Sequence, residues 1–255
     1  MKKETAELLR RYAAEYETAD FVSRDPSRFM HRSDCKGGDA GREAAAFVAS
    51  TLSFGSISQF VPKIARLYGL AGGDLDSWIR TGAFRRDAPS GPDRCFYRFA
   101  TCANVKAFLE AYRRIMLEHG TLGGCVKANG DGTGLGAVKA ICAAFAGSGC
   151  GCLVPADAKS ACKRICMFLR WMVRTGSPVD LGLWAGFIDR RTLIIPLDTH
   201  VLHEAARLGL ATGRQSSMSA ARRLTAALAE VFPDDPLKGD FALFGHGLDG
   251  RAPSE

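Results

Sequence analysis

SACKRICMFLRWMVR (160–174) and LIIPLDTHV (193–201), joined by residues 175–192, organise the reading of this chain. The first segment has helical periodicity with two unlike faces. At about 100° per residue, Ile165, Phe168, Leu169, Met172 and Val173 form one apolar stripe. Lys163, Met167, Arg170 and Arg174 fall on the other side, with Trp171 at its edge. Three cations, a thioether and an indole suit a phosphate backbone and an unstacked base. A solvated basic face on an ordinary amphipathic helix accounts for the same pattern. In the second segment an extended arrival meets a helix start. Asp198 stands at the N-cap position, and Leu197 and Leu202 stand where a hydrophobic staple needs them. A plain cap would contribute about 1 kcal/mol. A carboxylate held at a helix N-terminus beside a lysine-bearing helix is also a catalytic arrangement, and these residues alone leave both readings open.

Lys163 followed by Ile-Pro-Leu-Asp198-Thr-His-Val resembles the Lys … Val-Asp-x-His signature of the helix-hairpin-helix DNA glycosylases. Two further stretches fit in order. AFVASTLSFGSISQ (46–59) is similar to the helix and DNA-probing loop of that superfamily, and DFALFGHG (240–247) to the late helix of its endonuclease III branch. More narrowly, the three segments together resemble an uncharacterised bacterial family described as a domain of unknown function. The chain also departs from the superfamily. LVPADAKSAC (153–162) lacks the Gly-x-Gly of the usual hairpin, and 35 residues lead from Lys163 to Asp198. Both features resemble the archaeal GO-glycosylase branch, which excises 8-oxoguanine and cuts at the abasic site.

That resemblance implies an all-α fold of two helical lobes with a cleft between them and an atypical hairpin. Residues 40–190 would form a central lobe carrying the Lys163 helix, and 1–39 with 191–255 the second lobe. Lys163 would be the nucleophile and Asp198 the essential carboxylate. Ser53, Phe54, Ser56, Gln59, Arg170, Arg174 and His200 are the expected DNA contacts, with Phe54 pressed toward the duplex as a wedge. Trp171, Asp240 and Phe244 are the expected base pocket, Phe244 stacking on the flipped base and Asp240 bonding its edge. Phe54 buried in a plain helix corner, and Phe244 in the core, are the competing readings.

Composition narrows the field. A chain of 255 residues, 47% hydrophobic, can hold one large domain or two small ones. It has no apolar run of the roughly 18 residues that a membrane span needs. Nine cysteines without a secretory segment suit a reducing cytoplasm. A net charge of +7 favours a polyanion. The expected partner is double-stranded DNA with a damaged base, bound by a nucleoid-associated monomer that needs no cofactor. Cys150-Gly-Cys152 and Cys162-x3-Cys166 match neither zinc nor iron–sulfur spacing, and Asp198, His200 and His203 lack a second ligand group nearby, so no metal is expected. GDGTGLG (130–136) follows no strand, which removes the nucleotide-binding reading and leaves a flexible loop. Helices are expected near 2–18, 43–52, 57–68, around Trp78, along the apolar core stripe Val105, Phe108, Leu109, Tyr112, Ile115 and Met116, and near 199–208, 217–231 and 236–245, with a loose stretch over 120–136 and no strands.

Excision with cleavage at the abasic site needs a nucleophile on the anomeric carbon of the sugar and support for developing positive charge. A lysine amine supplies the first and a carboxylate the second. The amine must be neutral to attack, and an ionised Asp198 favours the ammonium. A first-turn position behind a Ser160 cap, and desolvation under DNA, favour the neutral form. Two other functions fit the same residues: nucleic-acid binding without catalysis, and base release by Asp198 and water alone.

Overall fold

The computed structural model describes residues 1–249 apart from Pro92 and Arg214, and the chain is helical through most of them. The first part contains α1 (Lys3–Tyr16), α2 (Ala19–Arg24), α3 (Gly38–Leu52), α4 (Ile57–Leu70), α5 (Leu75–Arg80) and α6 (Phe84–Asp87). A small antiparallel hairpin follows, β1 (Cys95–Tyr97) and β2 (Ala100–Thr101). Then come α7 (Cys102–His119), α8 (Leu122–Asn129), α9 (Gly134–Phe145) and α10 (Lys163–Val173). The chain closes with α11 (Thr199–Arg207), α12 (Met218–Ala229) and α13 (Lys238–Asp249). No helix among the described residues is long and apolar enough to cross a membrane.

Local chemistry explains most of these boundaries. Thr101 and Asn104 form a reciprocal capping box that starts α7. Asp74, Thr121 and Ser217 each accept an amide hydrogen bond at the start of α5, α8 and α12. The α7 stripe predicted from Val105 to Met116 is buried along its whole length. The hairpin was not expected, because strands of three and two residues are too short to show alternation. The stretch 120–136, expected to be loose, contains α8 and the start of α9. Glu43 on α3 is buried and accepts the Leu122 and Gly123 amides at 2.8 and 3.2 Å, which satisfies the N-terminus of α8. Within the glycine run the Gly134 amide donates to Thr192 Oγ1 at 2.8 Å, and from Gly134 onward the run is the first turn of α9.

The chain divides into two compact units. One comprises Arg24–Gly132 with Gly136–Asp157. Its core is an aromatic cluster in which Phe47 of α3 meets Phe108 and Tyr112 of α7 and Phe145 of α9, with ring centroids 5.2–5.7 Å from Phe47. The other comprises Met1–Ser23, Thr133–Leu135 and everything from Ala158 onward. Here α13 packs on α1 and α11, and Glu204 of α11 holds His246 of α13 at 2.8 Å and Arg207 at 3.0 Å. The expected lobes placed the Lys163 helix with the central stretch. It belongs with the termini instead, because the carboxylates that neutralise its arginines come from residues 17, 235 and 240.

Candidate active site

The α10 segment is buried on all sides from Ile165 to Val173, so its two faces differ in what they pack against rather than in exposure. Lys163 is its first residue. The preceding Cys162 is buried with φ of 46°, a left-handed conformation that turns the chain sharply into the helix. Ser160, expected as the cap, instead forms an antiparallel bridge with Ser217. At the other end the Leu181 and Gly182 amides donate to the Trp171 carbonyl, at 2.7 and 3.2 Å, and the Trp184 amide to Met172 at 2.7 Å. The connector is thereby stitched onto carbonyls that the helix leaves unpaired. It returns as the buried run Leu193–Leu197, where the Ile195 amide meets Thr225 Oγ1 at 3.0 Å and Ser216 Oγ donates to the Leu197 carbonyl at 3.1 Å.

This return delivers Asp198 to Lys163. The two carboxylate oxygens have separate partners: Oδ1 accepts the Val201 amide at 2.9 Å, and Oδ2 lies 2.9 Å from Lys163 Nζ. The side chains are 38% and 29% exposed, so the pair stands open to solvent. Burial pushes the Asp198 carboxyl up, but Lys163, the Val201 amide and His200 together hold it below its ordinary value. An ion pair this exposed is worth about 0–1 kcal/mol to the fold.

Below it, the same face of α10 carries a buried seam of charge. Arg170 Nε donates to Asp180 at 3.3 Å and Arg170 Nη1 to Asp240. Arg174 reaches Asp235 through Nε and Nη2 at 2.9 and 2.8 Å, Glu17 at 2.7 Å, and Asp180. Both arginine side chains are under 5% exposed and pack over the Phe241 ring, at 4.6 and 5.3 Å. The expectation that Arg170 and Arg174 grip phosphates is therefore corrected: they are structural ions. Burial pushes the Asp180 and Asp240 carboxyls up despite these arginines. A polar cavity of about 490 Å³ opens beside Arg174, lined by Glu17, Arg190, Asp234, Asp235 and Lys238; its opposite charges balance and Lys163 is not among its walls.

The expected base pocket is also revised. Trp171 is fully buried and belongs to the core. Asp240 is buried and bound to Arg170, so its carboxylate is not available to a base. Phe244, one turn on, is 43% exposed and meets Phe21 and Tyr16 edge-on at 5.1 and 6.0 Å, so it has an open face. His200 is exposed near Asp198.

In the other unit Ser53 is buried, donating to the Ala49 carbonyl at 2.7 Å, which takes it out of the expected contact set. Phe54 is half-buried against the Tyr97 ring at 4.7 Å, and Tyr97 donates its hydroxyl proton to the Phe54 carbonyl. Ser56 and Gln59 are exposed at the start of α4. A residue that sequence reasoning missed lies on the hairpin that braces this loop. Phe99 is 77% exposed at its tip, with the Arg98 guanidinium 5.5 Å over the ring and the Arg98 backbone in the left-handed region at φ of 51°. Its only signal was an aromatic next to arginine in a run too short to read as strand.

The family model described as "Protein of unknown function (DUF2400)" matches residues 25–249. The chain belongs to the DUF2400 family. That span holds α3 through α13, so Lys163, Asp198 and the seam all lie within the DUF2400 match. No curated protein and no solved structure matches the chain. Among the described residues, no group of three His, Cys, Asp or Glu side chains is placed to hold a metal ion.

Proposed function

We propose that this DUF2400 protein is a base-excision DNA glycosylase with abasic-site lyase activity, acting on an oxidised purine such as 8-oxoguanine. The observation that carries the reading is the Lys163–Asp198 pair: a lysine at the start of a helix that is buried from Ile165 onward, 2.9 Å from a carboxylate, with both side chains accessible. As a stabilising device the pair does little. As a reactive pair it has both parts that the chemistry requires. Asp198 takes a proton from the Lys163 ammonium. The neutral amine attacks C1′ of the sugar, and the glycosidic electron pair leaves with the base, which is protonated as it departs. Ring opening gives a Schiff base between Lys163 and C1′. Loss of a C2′ proton expels the 3′-phosphate, and water returns the amine. Asp198, held by the Val201 amide, passes the proton it took to the departing base and, again an anion, stabilises the positive charge that develops on the sugar and the Schiff base.

Two other features support a DNA substrate. The exposed Phe99 with its stacked Arg98 suits insertion beside an unstacked base. The half-open Phe244 ring suits stacking on an extruded purine.

Borohydride trapping tests the reading. Duplex carrying 8-oxoguanine or an abasic site should give a covalent protein–DNA adduct with the native protein and none with Lys163→Gln. Lys159→Gln is the control; Lys159 lies outside α10, four residues before its first turn, and its loss should leave trapping intact. Base release without trapping would mean hydrolysis by Asp198 and water. Binding alone would mean a nucleic-acid-binding scaffold.

A further inference from the structure

The Lys163–Asp198 pair is too exposed for its own attraction to hold two chain segments 35 residues apart at 2.9 Å. Contacts to the backbone on either side do so instead, and they converge on the start of α12. On the lysine side, the Met218 amide donates to the Lys159 carbonyl at 3.2 Å, and Ser160 forms its antiparallel bridge with Ser217. On the aspartate side, Ser216 Oγ donates at 3.1 Å to the carbonyl of Leu197, the residue before Asp198. Three consecutive residues, which span at most about 10 Å, thus hold both approaches. We infer that Ser216 is a positioning residue for this pair: through the Leu197 carbonyl it sets Asp198 at contact distance from the lysine, a role that rests on reading Lys163 and Asp198 as the reacting groups.

The bracket is rigid and the approaches from it are short. Ser217 caps α12 by accepting the Ala220 amide at 3.2 Å, and Met218, Ala221, Leu224 and Leu228 bury one side of that helix. From Ser160 only Ala161 and Cys162 lead to Lys163, and both are buried. Cys162 is held in the left-handed region at φ of 46°, a conformation that a cysteine keeps only where its surroundings fix it. The bridge at Ser160 fixes it on one side. On the other, the Cys166 amide donates to its carbonyl at 2.9 Å in the first turn of α10. The aspartate side has two anchors. Thr225, about two turns along α12, accepts the Ile195 amide at 3.0 Å and docks the returning chain. Ser216 holds the last carbonyl before Asp198. Removing the Ser216 hydroxyl therefore leaves the return docked through Ile195 and frees only its end, so Asp198 moves away from Lys163 while the fold stays.

The test compares native protein with Ser216→Ala and with Ser216→Thr, which keeps the hydroxyl. Without DNA, a water-soluble carbodiimide activates the Asp198 carboxylate, and the touching lysine amine displaces the urea to leave a Lys163–Asp198 amide, counted by peptide mass spectrometry. Lys3 and Glu7 of α1, 3.9 Å apart, give the reference crosslink. On abasic duplex, the single-turnover rate of strand cleavage is measured at saturating protein, with DNA affinity followed by fluorescence anisotropy. Ser216→Ala should lower the Lys163–Asp198 crosslink several-fold against the reference and slow cleavage about ten- to a hundredfold, with DNA affinity unchanged. Ser216→Thr should restore both. A merely structural Ser216 would lower the melting temperature and leave the crosslink and the cleavage rate of the folded protein at native values, and that result overturns the inference. So does an equal loss in the alanine and threonine variants. A crosslink lost in Ser216→Ala and restored in Ser216→Thr, in a protein that cleaves no DNA, would overturn the lyase reading alone. Cleavage by the native protein with an unmoved crosslink in Ser216→Ala would overturn the inference alone.

Discussion

Asp198 uses one oxygen for the helix and the other for Lys163, and this division makes its two roles separable. Asparagine caps a helix as well as aspartate does. Asp198→Asn should therefore melt within a few degrees of the native protein while losing base excision and trapping; a variant that keeps full activity would reduce Asp198 to a cap. The same substitution has a pH signature. The folded-state carboxyl of Asp198 is held below its ordinary value, so its contribution to stability is present above about pH 4 and is lost as pH falls through the depressed value. The stability difference between native and Asp198→Asn proteins, read from urea melts at several pH values, should shrink on acidification. Burial acts in the opposite direction on Asp180 and Asp240, so this difference is more informative than the native curve alone.

At the scale of elements, α10 presents one charged face with two unlike ends. Its deep end is structural. Arg174→Ala leaves Asp235, Asp180 and Glu17 without their shared cation, and removing one partner from a buried ion network costs about 3–5 kcal/mol. Urea unfolding should show a loss of that size, where the phosphate-binding role expected from sequence would leave stability unchanged. The hairpin is the converse case. Phe99 is 77% exposed, so Phe99→Ala should leave the melting temperature nearly unchanged. It should weaken damaged-duplex binding about tenfold or more, as loss of one base–aromatic stack does. Equal binding by Phe99→Ala and native protein would remove the hairpin from the interface. The loop it braces is locked by Gly55, whose φ is 82° and where a Cβ would meet the Tyr97 hydroxyl at 2.6 Å.

For the whole molecule, a net charge of +7 remains the reason to expect a polyanion, but its useful cations lie elsewhere than predicted. With Arg170 and Arg174 internally neutralised, Arg66, Arg94 and Arg98 are exposed and Lys63 half-exposed in the unit that carries the hairpin. Lys63 and Arg66 are the charged residues of α4, and the sequence has no acidic residue between Glu43 and Asp74 or between Asp93 and Glu110. If several phosphates are neutralised there, duplex affinity should fall by orders of magnitude between about 50 and 200 mM salt. A flat salt response would exclude that surface as a phosphate-binding face.

The sequence by itself determined what rests on near neighbours. The helical character of the chain, the α7 core stripe and the Asp198 cap follow from periodicities and offsets of three or four residues, and each is found in the fold. The Lys163–Asp198 pairing was legible through motif resemblance, and a buried return of the chain brings the two together. What only the tertiary structure decided is which charges face water. Arg170 and Arg174 have the spacing of a solvated basic face, yet Asp240 and Asp235 lie 70 and 61 residues away and make that face interior. Helical periodicity records that a face is polar; it does not record which distant carboxylate will cover it. The same limit concealed Phe99, whose exposure depends on a hairpin with strands of three and two residues packed beside α4.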